Sequence, residues 1–254
     1  LTVIGFSLPS AYLLSFLFEG QVLYGLLDYY GVKPPGYIFA AMVAVFAGLL
    51  SCWRLVRSPR AARGMMLGSI CACLFSTAPF FFAPSPLWAA ALIVSGYAGG
   101  CFLAAWGHFL KAFTPREQRI KTCADVLIYS NVLMIAVNLT AIHGSVFVGL
   151  GLAMFCLASG MAFIWYLPAG SEISWREVAP SKFQDGLKKP LAMLFGFVLV
   201  ITINSGLMYQ VMNPAFAHLA GLTSWYWALP YIIAIAVMRN LPLKTNRSQF
   251  LYLG

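Results

Sequence analysis

The sequence predicts an all-α membrane protein, and three observations carry that prediction. Hydrophobic residues make up 61% of the 254 and charged residues only 9%, with a mean hydropathy of +0.83. A soluble domain carries roughly 25% charged residues to cover its surface, so this chain has too few to make one. The apolar residues fall into about eight runs, at 8–30, 36–53, 64–83, 86–110, 122–142, 145–167, 190–212 and 222–239, each near the ~20 residues a helix needs to cross hydrocarbon. Cationic residues collect in alternate gaps between these runs.

Each run must satisfy its backbone within the bilayer, which leaves only a helix or a closed barrel. Continuous apolar runs without strand alternation exclude the barrel. Arg54, Arg57, Arg60 and Arg63 follow the second run, and Lys111, Arg116, Arg119 and Lys121 follow the fourth. Arg239, Lys244 and Arg247 follow the eighth, whereas the intervening gaps hold one basic residue, Lys33. By the positive-inside rule this alternation puts the even-numbered exits, and both ends of the chain, on the cytoplasmic side of a multi-pass cell-membrane protein.

Leu167 to Pro190, LPAGSEISWREVAPSKFQDGLKKP, is the longest interval without an apolar run. It carries Glu172, Arg176, Glu177, Lys182, Asp185, Lys188 and Lys189, and it divides the chain into three parts. These are a six-helix bundle over 1–167, a cytoplasmic connector over 168–189, and the start of a second bundle over 190–254. The chain opens at Leu1 rather than Met and closes on the short apolar SQFLYLG, so the expectation is a fragment whose second bundle is cut short.

Several function classes lose their footing here. The net charge of +9 lies in turn clusters that set topology, so no nucleic acid is expected on this segment. Cys52, Cys71, Cys73, Cys101, Cys123 and Cys156 are scattered with no CxxC pair, and His108, His143 and His218 lack metal-ligand spacing. No GxSxG, phosphate loop or HExxH occurs, and the few carboxylates do not pair. The expectation is a protein that is no enzyme and holds no cofactor or metal.

Laying the first run on the seventh aligns FEGQVLYGLL (Phe18 to Leu27) with INSGLMYQVM (Ile203 to Met212), pairing Glu19 with Asn204 and Tyr24 with Tyr209. Six spans, a basic connector and a restart echoing the first span resemble the layout of the major facilitator superfamily. That resemblance implies two six-helix halves related by an axis along the membrane normal, with solute moved by alternating access. The loop from Gly48 to Gly64, GLLSCWRLVRSPRAARG, keeps the glycine and arginines of the family's cytoplasmic motif but has Cys52 where its Asp would stand. MRNLPLKTNRS after the eighth span lacks that Asp as well. Trp106 to Arg119, WGHFLKAFTPREQR, is similar to the facilitator-like membrane domain of LuxR-type regulators. The second similarity implies a ligand-sensing role in a transcriptional regulator whose DNA-binding part lies outside this segment.

Glu19 is the one carboxylate deep in a span, where insertion costs on the order of 3 kcal/mol. Helical spacing sets Tyr12 and Ser15 seven and four residues before it, forming a polar stripe with Gln21 nearby. In the seventh span Thr202, Ser205 and Tyr209 share a face beside Asn204. Parallel-repeat transporters set the first and seventh helices across one cavity, so Glu19, Tyr12, Ser15, Gln21, Asn204, Ser205 and Tyr209 are the candidate solute and proton pathway. Interhelical hydrogen bonding that only holds the bundle explains the same residues equally well, and Asn131 and Asn138 share the ambiguity. Gly96, Gly100 and Ala104 predict close helix packing, with His108 continuing the face. Asp125 is expected to pair with Lys121 one turn away. Tyr29, Tyr30, Trp53, Trp88, Trp165, Tyr166 and Trp225 are expected as interfacial anchors.

Overall fold

Proline and serine start four of the eight α-helices among the described residues. Pro34, Pro59 and Pro86 stand in the first turns of α3 (Pro34–Leu55), α4 (Pro59–Thr77) and α5 (Pro86–Phe113), where a missing N–H costs nothing. Ser58 caps α4 by accepting from the Ala61 N–H at 3.1 Å, and Ser145 caps α7 (Val146–Trp165) by accepting from Phe147 N–H at 3.3 Å. The computed structural model describes residues 2–18, 20–56, 58–115, 118–167 and 215–240. Among them lie also α1 (Thr2–Tyr12), α2 (Gln21–Tyr29), α6 (Arg119–His143) and α8 (Ala220–Asn240), with 3-10 turns at Ala78–Phe81 and Ala217–Leu219.

Five helical stretches are long and apolar enough to cross a membrane: Thr2–Tyr29, Pro59–Phe81, Pro86–Phe113, Lys121–His143 and Val146–Trp165. Gly36–Cys52, inside α3, is a shorter apolar stretch. The outward faces are apolar, with Phe39 72%, Leu50 75%, Phe75 81% and Phe155 66% exposed. A water-soluble protein rarely carries so much bare aromatic surface, whereas lipid solvates it. The run at 190–212 and the connector lie outside the described residues.

Small residues let the helices touch backbone to backbone. A Cβ on Gly48 would lie 2.1 Å from the Tyr97 carbonyl, one on Gly100 2.1 Å from that of Val45, and one on Gly96 2.6 Å from that of Ala41. These contacts advance together along both chains, so α3 and α5 run parallel and zipped. Cys52 Sγ donates to the Cys101 carbonyl at 3.4 Å and Cys101 Sγ to that of Gly48 at 3.5 Å, across the same seam. Gly5 abuts Phe163 and Ile164 while Gly160 abuts Pro9, which fixes α7 antiparallel to α1. Gly149 against Ala141 closes the α6–α7 hairpin, so α1 and α6 run parallel.

Three expectations need correction. Arg60 and Arg63 are not in a loop, because Ser58 and Pro59 start α4 before them and leave only a short turn. Arg63 instead donates from Nη1 to Leu167 O at 2.9 Å and from Nη2 to Trp165 O, and its guanidinium lies 5.7 Å from the Trp165 ring centroid. It caps the negative end of α7. Trp88 is no interfacial anchor: it is fully buried, donates to Pro79 O at 3.1 Å, and packs on Phe80 and Tyr30. Tyr29, Trp165, Tyr166 and Trp225 are exposed, Tyr30 is half-buried against Trp88, and the Trp53 side chain lies outside the described residues. Asp125 pairs not with Lys121 but across the bundle, as described below.

Because the α3–α5 seam has no room for a side chain, Gly100→Leu should lower stability by about 3 kcal/mol or prevent folding, at the upper end of overpacking costs. Gly68→Leu, where nothing lies within 4 Å of the added Cβ, should leave the unfolding temperature of the detergent-purified protein nearly unchanged.

Candidate functional site

The first span is interrupted just past its middle. α1 widens at Leu13–Leu17 into a π-helical turn, with the Phe18 N–H reaching back to Leu13 O at 2.7 Å, and Gly20 then turns extended before α2 begins. A Cβ on Gly20 would lie 1.9 Å from the Ser15 carbonyl, so the close return of the chain admits only glycine. The π turn is buried at Leu13, Ser15, Phe16 and Leu17, which shields its irregular backbone from lipid. Gly20 O accepts from the Leu23 and Tyr24 N–H groups at 3.0 and 3.2 Å, and the start of α2 carries the positive end of its dipole.

The expected stripe of Tyr12, Ser15 and Glu19 assumed one regular helix, and the wider turn removes that phase relation. Tyr12 and Ser15 are fully buried. The Tyr12 hydroxyl lies 2.7 Å from Thr77 Oγ1, and Thr77 spends its one hydroxyl proton on Cys73 O at 2.6 Å, so Tyr12 is the donor. Cys73 Sγ in turn donates to Ser95 O at 3.7 Å, which ties α1, α4 and α5 into one buried chain. Ser15 Oγ donates weakly to its own helix at Tyr12 O, 3.4 Å. Gln21 is half-buried at the start of α2. Glu19, Asn204, Ser205 and Tyr209, together with Thr202, lie outside the described residues.

A second polar contact joins elements far apart in sequence. Arg239 Nε in the last turn of α8 donates to Asp125 Oδ1 in the second turn of α6, with side chains 33% and 18% exposed. It is the ion pair found among the described residues. The two helices pack along their length with the end of one at the start of the other, so they are antiparallel. Thr77, Ser95 and Arg239 were not among the sequence candidates. A Thr closing a span and an Arg closing another are the signals that mark them, but neither names its partner.

Cys52 is buried and bonded to α5 through the Cys101 carbonyl. Among the described residues no three His, Cys, Asp or Glu side chains converge as a metal site. Asn131 turns its amide to Leu127 O of its own helix at 2.8 Å, whereas the buried Asn138 Oδ1 has no hydrogen-bond partner. No protein-family model, curated protein or solved structure matches the chain.

Partial burial between two helices should give the Asp125–Arg239 pair a coupling of about 1–3 kcal/mol in a double-mutant cycle. Asp125→Asn and Arg239→Gln should each lower the unfolding temperature, and the exchanged pair Asp125→Arg with Arg239→Asp should recover most of the loss.

Proposed function

We propose that this chain is part of a facilitator-like secondary transporter that moves a small solute across the cell membrane by alternating access, coupled to protons through Glu19. The observation that carries this reading is the interruption of the first span between Phe18 and Gly20, directly beside the deep carboxylate in the sequence. Transporters build their sites from discontinuous helices near the bilayer midplane, where a broken backbone meets water or solute rather than lipid. The fixed parts of the first bundle support it. Backbone-tight α3 and α5, and α1 locked to α4 through Tyr12 and Thr77, behave as one body that can rock as a unit. The Asp125–Arg239 pair is a breakable tie between that body and α8.

Cys52 favours a second reading, a membrane-embedded ligand-sensing domain that uses the same interior to control an attached regulator. A buried thiol bonded to a backbone carbonyl cannot serve the carboxylate gating of ordinary facilitators. A sensor has no need of that gate.

In proteoliposomes under an imposed proton gradient, Glu19→Gln should abolish proton-coupled uptake while membrane insertion stays normal; uptake unaltered by the change would rule out its role. Orientation is open to a separate measurement. Lys111 and Lys121, both exposed at the α5–α6 turn, should react with a membrane-impermeant amine reagent from the cytoplasmic face only.

A further inference from the structure

We infer that the buried amide of Asn138, on the seam between α6 and α8, is a binding group for a neutral solute carrying a hydroxyl or amide N–H donor; this rests on the transport reading above. Four faces of α6 are separable by what they meet. Tyr129, Val132 and Ala136 face outward and are exposed. Val126, whose carbonyl lies 3.4 Å from Ser7 Oγ, and the buried Ser130 and Val137 share the α1 side. Ala141 meets α7 at Gly149. Ala124, Asn131, Ile135 and Asn138 make a fourth, buried stripe at spacings of seven, four and three, on the side left for α8.

Along that seam the ion pair stands at the lower end. The Asp125–Arg239 pair closes it there, and Asn138 stands thirteen residues further along α6, about 20 Å higher at 1.5 Å per residue. Its Oδ1 is an acceptor with no partner, although the residue is only 7% exposed. A buried acceptor without a donor is costly, and such exceptions call for an absent partner or a functional reason.

The height of Asn138 singles it out. Pro9 against Gly160 and Gly25 against Val146 set the break in the first span level with about residue 151 of α7, and Gly149 against Ala141 carries that level to about residue 139 of α6. Ser7 beside Val126, counted along the parallel α1 and α6, gives the same height independently. The unpaired amide and the start of α2 therefore lie at one depth, on helices that pack together. The amide supplies an acceptor, which suits a solute bearing a hydroxyl or N–H donor. The stripe of Ala124, Asn131, Ile135 and Asn138 carries no charge, which suits a neutral one.

Two measurements on the full chain test this. Asn138→Leu removes the unpaired acceptor at nearly constant volume, so the unfolding temperature should hold or rise; a clear fall would mean that the amide has a partner within the protein, and the inference fails. Asn138→Cys in membrane vesicles, followed peptide by peptide, should react with a water-soluble maleimide several-fold faster than Ser130→Cys, which is buried on the α1 side of the same helix. Equal rates in a chain that still transports would overturn the Asn138 site alone. Fast labelling in a chain that takes up no solute in proteoliposomes, with or without a proton gradient, would keep the site and remove the transport reading.

Discussion

In hydrocarbon a peptide group has no water to bond, and this constraint governs the whole molecule. It makes the described apolar runs helical, since only a helix closes its own backbone. Where the helix is broken, as at Leu13–Gly20, the constraint demands cover, and the break is wrapped by buried side chains of the turn itself and by α6 and α7. It also removes the hydrophobic drive between helices, because lipid is as apolar as leucine. Association then depends on contact distance, and the glycines of α3, α5 and α7 bring neighbouring backbones within reach.

Polar side chains inside such a bundle have to find one another. Tyr12 finds Thr77, Arg63 finds the carbonyls that end α7, and Asp125 finds Arg239. The first two lie within the first bundle and make it rigid. The third reaches α8 and differs in kind, since an ion pair partly open to solvent can be exchanged for water at modest cost while a buried hydroxyl pair cannot. The helices of the first six spans are thus joined by buried hydroxyl and backbone contacts, and α8 is joined to α6 by an ion pair partly open to solvent.

Much of the site was legible in part. Glu19 announces a special position because a carboxylate in a span has to be accommodated, and the break falls beside it. The break itself was not legible. Leu13 to Leu17 are ordinary helix formers, and what signals the interruption is Gly20, whose need for closeness to Ser15 exists only once the turn has formed. Tyr12 and Ser15 looked like a stripe with Glu19 because spacing assumes a constant turn. Lys121 looked like the partner of Asp125 because it is near in sequence, whereas Arg239 lies 114 residues away and is nearer in space.

The sequence by itself determined the solvent, the helical state of the spans and most of their ends, because hydropathy, proline, serine caps and turn cations act within a few residues of where they stand. The described helices coincide with the apolar runs to within a few residues for that reason. Tertiary structure alone decided which helices touch, which donor meets which acceptor, and which buried group is left over. Those are properties of pairs. The amide of Asn138 differs from that of Asn131 only in what surrounds it, and surroundings are assembled from segments far apart along the chain.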